Sequence, residues 1–192
     1  GIRHFVGWDE ALTWGPEAGV VAVPTHLHLD AARELVRSGA DVLVEKPISD
    51  RIEGVKEFLD KAESLGRKVY VVCNMRFHPA LRAVREALPA IGKPLFARAH
   101  YGNYLPDMRA GADYRELYCA RRQTGGGVIL DAIHEVDYLS WFFGQPVSVS
   151  CESAKLSDLD IDVEDYAGIH MRHESGVRSE THLDYLRRYK RR

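Results

Sequence analysis

Residues 19–47 read GVVAVPTHLHLDAARELVRSGADVLVEKP, and this stretch decides the fold. Gly19–Val23 is a short, continuous apolar run, the pattern of a strand buried on both faces of a parallel sheet. Pro24 and Thr25 end it. Leu27–Ser38 then has the length and spacing of a helix, closed by Gly39, and Asp41–Val44 is a second apolar run. Downstream, Ile52, Val55, Phe58, Leu59, Ala62 and Leu65 form one stripe at helical spacing, and Lys68–Val72 makes a third strand. Strands alternating with helices of this length imply a parallel sheet with right-handed crossovers.

Past Asn74 the rhythm changes. Pro79 opens a helix to about Leu88, and Pro94–Tyr101 reads as a strand. Residues 102–124 are irregular, polar and aromatic, the kind of long connection that is functional or disordered. Residues 127–143 read as one long apolar helix stopped by Gly144 and Pro146. Val147–Ala154, Tyr166–Arg172 and Val177–Tyr185 read as strands, the last two joined by a turn at Glu174–Gly176. The expected fold class is α/β: a partial parallel sheet over 1–77, then an α+β domain with a largely antiparallel sheet over 78–192.

Composition narrows the function. With 26 basic and 28 acidic residues among 192, the net charge of −2 gives no global field for nucleic acid or a membrane surface. The terminal Arg187, Arg188, Lys190, Arg191 and Arg192 read as a surface strand edge. Three cysteines, Cys73, Cys119 and Cys151, show no C-x-x-C spacing, which suits a reducing cytoplasm and gives no disulfide framework or zinc site. No apolar run approaches a membrane span, and no signal peptide opens the chain. The expected location is the cytoplasm.

Three stretches could carry chemistry. Glu45-Lys46-Pro47 follows a buried strand at its C-terminal end, where ligands bind in open α/β sheets. A lysine there can orient a hydroxyl or assist proton transfer, although a bare tripeptide more often describes a solvent-facing lysine. Pro24-Thr25-His26-Leu27-His28 occupies the same edge after the preceding strand. Its two histidines lack a third metal ligand at local spacing, so no metal site is read there.

Residues 125–137, GGGVILDAIHEVD, are the most informative. Three glycines would let a backbone approach a ligand at a helix start, where free N–H groups face outward. Asp131 and His134, three apart, would share one helix face as an acid/base pair, or belong to a capped helix with a satisfied histidine. The stretch is no dinucleotide fingerprint: it follows a polar loop, and Leu130 stands where the last glycine belongs. Asp158, Asp160, Asp162 and Glu164 suggest calcium only superficially, since Val163 and Ile169 stand where the loop needs glycine and a bidentate glutamate.

In their order and spacing, PTHLH, EKP, NMRFHP and GGGVILDAIHEVDYL resemble the glucose-fructose oxidoreductase/inositol dehydrogenase family, Gfo/Idh/MocA, through nearly the whole chain. The first three resemble the later part of its Rossmann domain, and the fourth the active-site helix of its second domain. The resemblance implies an NAD- or NADP-dependent dehydrogenase that transfers hydride between nicotinamide and a hydroxyl or carbonyl carbon of a sugar-like substrate, amino sugars and nucleotide-linked sugars included. It implies that Pro24, Thr25, His28, Glu45 and Lys46 line the cofactor, that Pro47 shapes the turn through a cis bond, and that Asn74 and Arg76 line the cleft. Lys46, Asp131 and His134 would be catalytic. His134 would take the hydroxyl proton, Asp131 would hold the substrate, and Lys46 would bind the reacting oxygen. Tyr104, Arg121 and Arg122 are expected substrate contacts, arginine pairs suiting carboxylate or phosphate. A homo-oligomer is expected, with no nucleic-acid or membrane partner.

Two departures accompany the resemblance. Many members space the aspartate and histidine by four, whereas here they are three apart, with H-E-x-D-Y-L following. Nothing in the chain matches the first strand and G-x-G-x-x-G turn that should precede Gly1, nor the strands expected after Arg192. The alternative from another class is a non-catalytic sugar-binding or interaction module derived from such an enzyme. A metal-dependent isomerase or hydrolase would need Asp131, His134 and others to converge on an ion.

Overall fold

In the computed structural model, which describes residues 3–189, the strand–helix alternation folds as a three-stranded parallel sheet. A short helix α1 (Trp8–Thr13) precedes β1 (Ala18–Val21), α2 (His28–Arg37), β2 (Asp41–Glu45), α3 (Val55–Ser64) and β3 (Val69–Val72). The order is β1-β2-β3, so the strands neighbour one another as they come along the chain. Two compact units result, Gly1–Val72 and Cys73–Arg192. The basic residues Lys190, Arg191 and Arg192 lie outside the described residues.

Helices α2 and α3 bury Val21, Val42 and Val44 on one face of this sheet, beneath Leu29, Ala32, Leu35, Val36, Phe58 and Ala62. Each valine, leucine or phenylalanine among them contributes about 1.5–3 kcal/mol when fully withdrawn from water. Helix α2 approaches β1 at Gly19, where a Cβ would come within 2.6 Å of both Leu35 methyls. The expectation of burial on both faces holds for one face only. Val20, Leu43 and Tyr70, in register across the three strands, remain 68%, 39% and 57% exposed. The α3 stripe is likewise narrower than its spacing suggests. Gly54, at φ 75°, starts the helix after Ile52, which is exposed, and only Val55, Phe58 and Ala62 meet the core.

The second unit begins with a 3₁₀ turn, Asn74–Phe77, packed on α4 (Pro79–Ala87). His78 caps α4 by accepting from the Ala80 N–H at 3.2 Å, and Pro79 occupies the first turn, where a missing N–H costs nothing. Then come β4 (Phe96–Gly102), four short 3₁₀ turns over 105–124, α5 (Val128–Asp131), α6 (His134–Phe143), β5 (Pro146–Ala154), β6 (Tyr166–His173) and β7 (Arg178–Asp184). The sheet order is β4-β7-β6-β5; β4 and β7 are parallel and the other pairs antiparallel. Its inner face buries Ala99, Tyr101, Ala167, Ile169, Met171 and Leu183 against Val128, Leu139 and Phe143.

The single helix expected over 127–143 is two helices. Ala132 leaves helical geometry at φ −100°, ψ 27°, so α5 ends at Asp131 and α6 starts at His134. No described helix is long and apolar enough to cross a membrane.

Candidate functional site

In the first unit the chemistry gathers at the C-terminal edge of the parallel sheet. Parallel strands with helical crossovers present their connecting loops there, the edge where open α/β sheets generally bind ligands. The 3₁₀ turn Thr25–Leu27 follows β1 there, with Pro24 exposed and Thr25 buried. Glu45, Lys46 and Pro47, all half-buried, follow β2, and the Lys46–Pro47 peptide bond is cis. His28 ties the two loops together. Its Nδ1 lies 2.7 Å from the Pro47 carbonyl oxygen and its Nε2 2.8 Å from that of Val23. With the residue only 2% exposed, both ring nitrogens are taken up inside the unit. His28 therefore shapes this edge by bracing it and offers no further ring nitrogen to a ligand.

In the second unit the chemistry gathers where α5 gives way to α6. Asp131 ends one helix and His134 opens the next, so the break, rather than a shared helical face, sets their relation. The Tyr118 hydroxyl, from the irregular 102–124 segment, donates to Asp131 Oδ1 at 2.8 Å. Burial, and then the charge of Asp131, push the Tyr118 phenol above its ordinary value, which keeps it a donor. The same two causes raise Cys119 to about 12 and hold Tyr185 well up. Asp131 thus sits among three weak acids that all stay protonated. The sequence reading missed Tyr118, because its only signal was an aromatic residue in an irregular segment.

The three glycines do other work than expected. Gly126 donates its N–H to the Arg121 carbonyl and Gly127 to that of Cys119, both at 3.0 Å. The Val128 N–H goes to the Glu164 carbonyl at 3.1 Å and the Ile129 N–H to Glu164 Oε1 at 3.2 Å. These helix-start donors are met by Glu164, whose carboxylate stands where a bound anion would stand. Gly127 lies at φ 113°, where side chains other than glycine are strained, and a Cβ there would come 2.2 Å from Glu164 Oε1 and push the carboxylate aside. The acidic run caps backbone elsewhere as well. Asp162 Oδ1 accepts the Arg122 N–H at 2.7 Å, and buried Asp165 accepts the N–H groups of Leu156 and Ser157.

The remaining expected site residues are anchored within the second unit. Arg76 forks onto Asp137 of α6, with Nε 2.9 Å from Oδ2, and this pairing holds its guanidinium charge more firmly. Nearby Cys73 is raised to about 11, by burial first and Asp137 second. Arg121 donates to the Arg115 carbonyl at 3.1 Å, and Arg122 Nη2 to the Asp162 carbonyl at 3.3 Å. Tyr104 lies under the Arg188 guanidinium at 4.2 Å. Asn74 is exposed in its turn.

Comparison with known proteins agrees with this architecture. Residues 81–192 match the GFO/IDH/MocA C-terminal domain, and residues 1–73 match the oxidoreductase family, NAD-binding Rossmann fold. The chain is 30% identical over 188 residues to 1,5-anhydro-D-fructose reductase of Ensifer adhaerens, covering 95% of this chain and 55% of that protein. It is 30% identical over 145 residues to inositol 2-dehydrogenase of Rubrobacter xylanophilus, covering 73% of this chain and 38% of that one. Among solved structures, the WlbA dehydrogenase of Bordetella pertussis in complex with NADH and UDP-GlcNAcA superposes with a TM-score of 0.86 at 25% identity, over 98% of this chain and 54% of that one. The chain spans about half the length of the first of these relatives and less of the second. With its Rossmann-type strands and its matches to both family domains, the chain belongs to the Gfo/Idh/MocA family of oxidoreductases.

Proposed function

We propose that the protein containing this chain is an NAD(H)-dependent oxidoreductase that moves hydride between nicotinamide and a carbinol or carbonyl carbon of a sugar-like substrate. The observation that carries the reading is the α5–α6 junction: a carboxylate held by a half-buried phenol, three residues before a histidine, in a domain of this family. A nicotinamide bound at the first unit supplies the hydride acceptor or donor.

The residues of the first unit fit that group. The Pro24–His28 and Glu45–Pro47 loops lie at the ligand-binding edge of a parallel sheet and are braced by one buried imidazole. They offer exposed Pro24 as apolar surface and Lys46 as a cation.

In this reading His134 holds the proton of the reacting hydroxyl, and Lys46 binds the oxygen from which it leaves. Asp131 orients the substrate hydroxyl. Tyr118 fixes the carboxylate by donating to one of its oxygens. A nucleotide-linked amino sugar or uronic acid is the substrate class we favour, since the Bordetella relative is known with UDP-GlcNAcA. The protein works as a homo-oligomer in this account.

Lys46→Ala and His134→Ala in the complete protein should each remove most turnover while far-UV circular dichroism stays unchanged. Near-normal turnover in both would sink the catalytic assignment.

A further inference from the structure

On the outer face of the four-stranded sheet, strand register assembles a side-chain cluster that no stretch of sequence displays. In the parallel β4–β7 pair, His100 stands opposite His182 and Gly102 opposite Asp184. Positions 100, 182 and 184 therefore share one face, because side chains two apart on a strand point the same way. The two imidazoles stack with centroids 4.7 Å apart and planes 14° from parallel. His182 Nε2 lies 2.8 Å from Asp184 Oδ2. One ligand atom from each of the three residues lies within 4.8 Å of the other two.

We propose that His100, His182 and Asp184 form a binding site for a divalent transition-metal ion of the zinc class. Two imidazole nitrogens and one carboxylate oxygen suit zinc, cobalt or nickel, whereas magnesium and calcium take oxygen ligands. With metal–nitrogen bonds of about 2.0–2.1 Å, tetrahedral ligand atoms stand roughly 3.3 Å apart. The cluster thus needs to close by roughly 1.5 Å or less, a movement within reach of side-chain rotation. Three protein ligands leave a fourth position open to water or a small ligand.

The surroundings support the set. Gly102 places no side chain opposite Asp184; a Cβ there would come 2.9 Å from Oδ2. Tyr166 packs its ring edgewise on His182 at 5.4 Å, and one imidazole must turn out of the stack for both ring lone pairs to meet the ion. Asp184 is 3% exposed, and a carboxylate so buried is stable only beside donors or cations. Its other partners are the Leu186 N–H on Oδ1 at 3.0 Å and Arg187 Nε on Oδ2 at 3.1 Å. Arg187, about two-fifths exposed, is the group a metal must displace from Oδ2.

The test is equilibrium dialysis of the full chain against Zn²⁺, with Mg²⁺ in parallel and the visible spectrum of Co²⁺ as a report on the ligands. The expected result is one equivalent of Zn²⁺, none of Mg²⁺, and a Co²⁺ spectrum without a thiolate charge-transfer band. His100→Gln, at a half-buried position, should weaken Zn²⁺ by more than about tenfold with unchanged circular dichroism. Arg187→Gln should tighten it, because the competing cation is gone. Failure of the unaltered chain to take up Zn²⁺, undiminished affinity in His100→Gln, equal binding of Mg²⁺, or a thiolate band would each overturn the proposal.

Discussion

Replacing Gly127 by alanine tests how α5, and with it Asp131, is seated. At φ 113° the backbone lies where side chains other than glycine are strained, at a cost of about 1–3 kcal/mol. The new Cβ would stand 2.2 Å from Glu164 Oε1 and 2.6 Å from Oε2, so the carboxylate must withdraw and release the Ile129 N–H. A hydrogen bond to a charged group contributes about 1.5–3 kcal/mol, and the 3.2 Å length of this one places it toward the lower end. Together the two effects come to about 2.5–5 kcal/mol, a large share of the 5–15 kcal/mol by which domains are usually stable. In a Glu164→Ala background the collision is gone and only the strain of about 1–3 kcal/mol remains. A double-mutant cycle in urea, followed by fluorescence of Trp141 in α6, should therefore show coupling of about 1.5–2 kcal/mol. Equal cost of Gly127→Ala in both backgrounds would refute the account of Glu164 as the cap that seats this helix.

Two further expectations concern ionisation. Tyr118 and Tyr185 have folded-state values raised above the ordinary 10.0, so the stability they lend is complete below that pH and is lost as pH climbs toward their folded values. Ultraviolet titration should show them ionising only with alkaline unfolding, and ionisation of all nine tyrosines in the folded state would contradict this. Among the thiols, exposed Cys151 should react first with a disulfide reagent, half-buried Cys73 (raised to about 11) slowly, and buried Cys119 (about 12) only on unfolding. Prompt reaction of all three would show the second unit to be open around Cys119.

Local pattern made most of the fold readable. The apolar runs at 19–23 and 41–44, with Pro24 and Gly39 as punctuation, point to the strands found at Ala18–Val21 and Asp41–Glu45, and Pro79 and Gly144 mark true helix ends. What escaped depends on partners distant in sequence. Whether Val20, Leu43 and Tyr70 are covered is set by what lies over that face, and an apolar run is silent on it. The break between Asp131 and His134 interrupts residues of good helical propensity, and no proline marks it. Glu164 caps a helix 35 residues earlier, so in the sequence it showed only as the last acid of a superficially calcium-like run. Lys46, Asp131 and His134 stood out because their motifs are local. Tyr118 and the His100–His182–Asp184 cluster did not, because tertiary packing in one case and strand register in the other bring them together.

The central claim is hydride exchange with nicotinamide, and one assay addresses it directly. The complete protein would be mixed with NAD⁺ and a panel of polyols, amino sugars and nucleotide-linked sugars while the absorbance of reduced nicotinamide is followed. The account predicts that at least one nucleotide-linked sugar reduces NAD⁺, and that deuterium at its reacting carbon slows the signal. No reduction with any member of the panel, together with no binding of NADH, would contradict it.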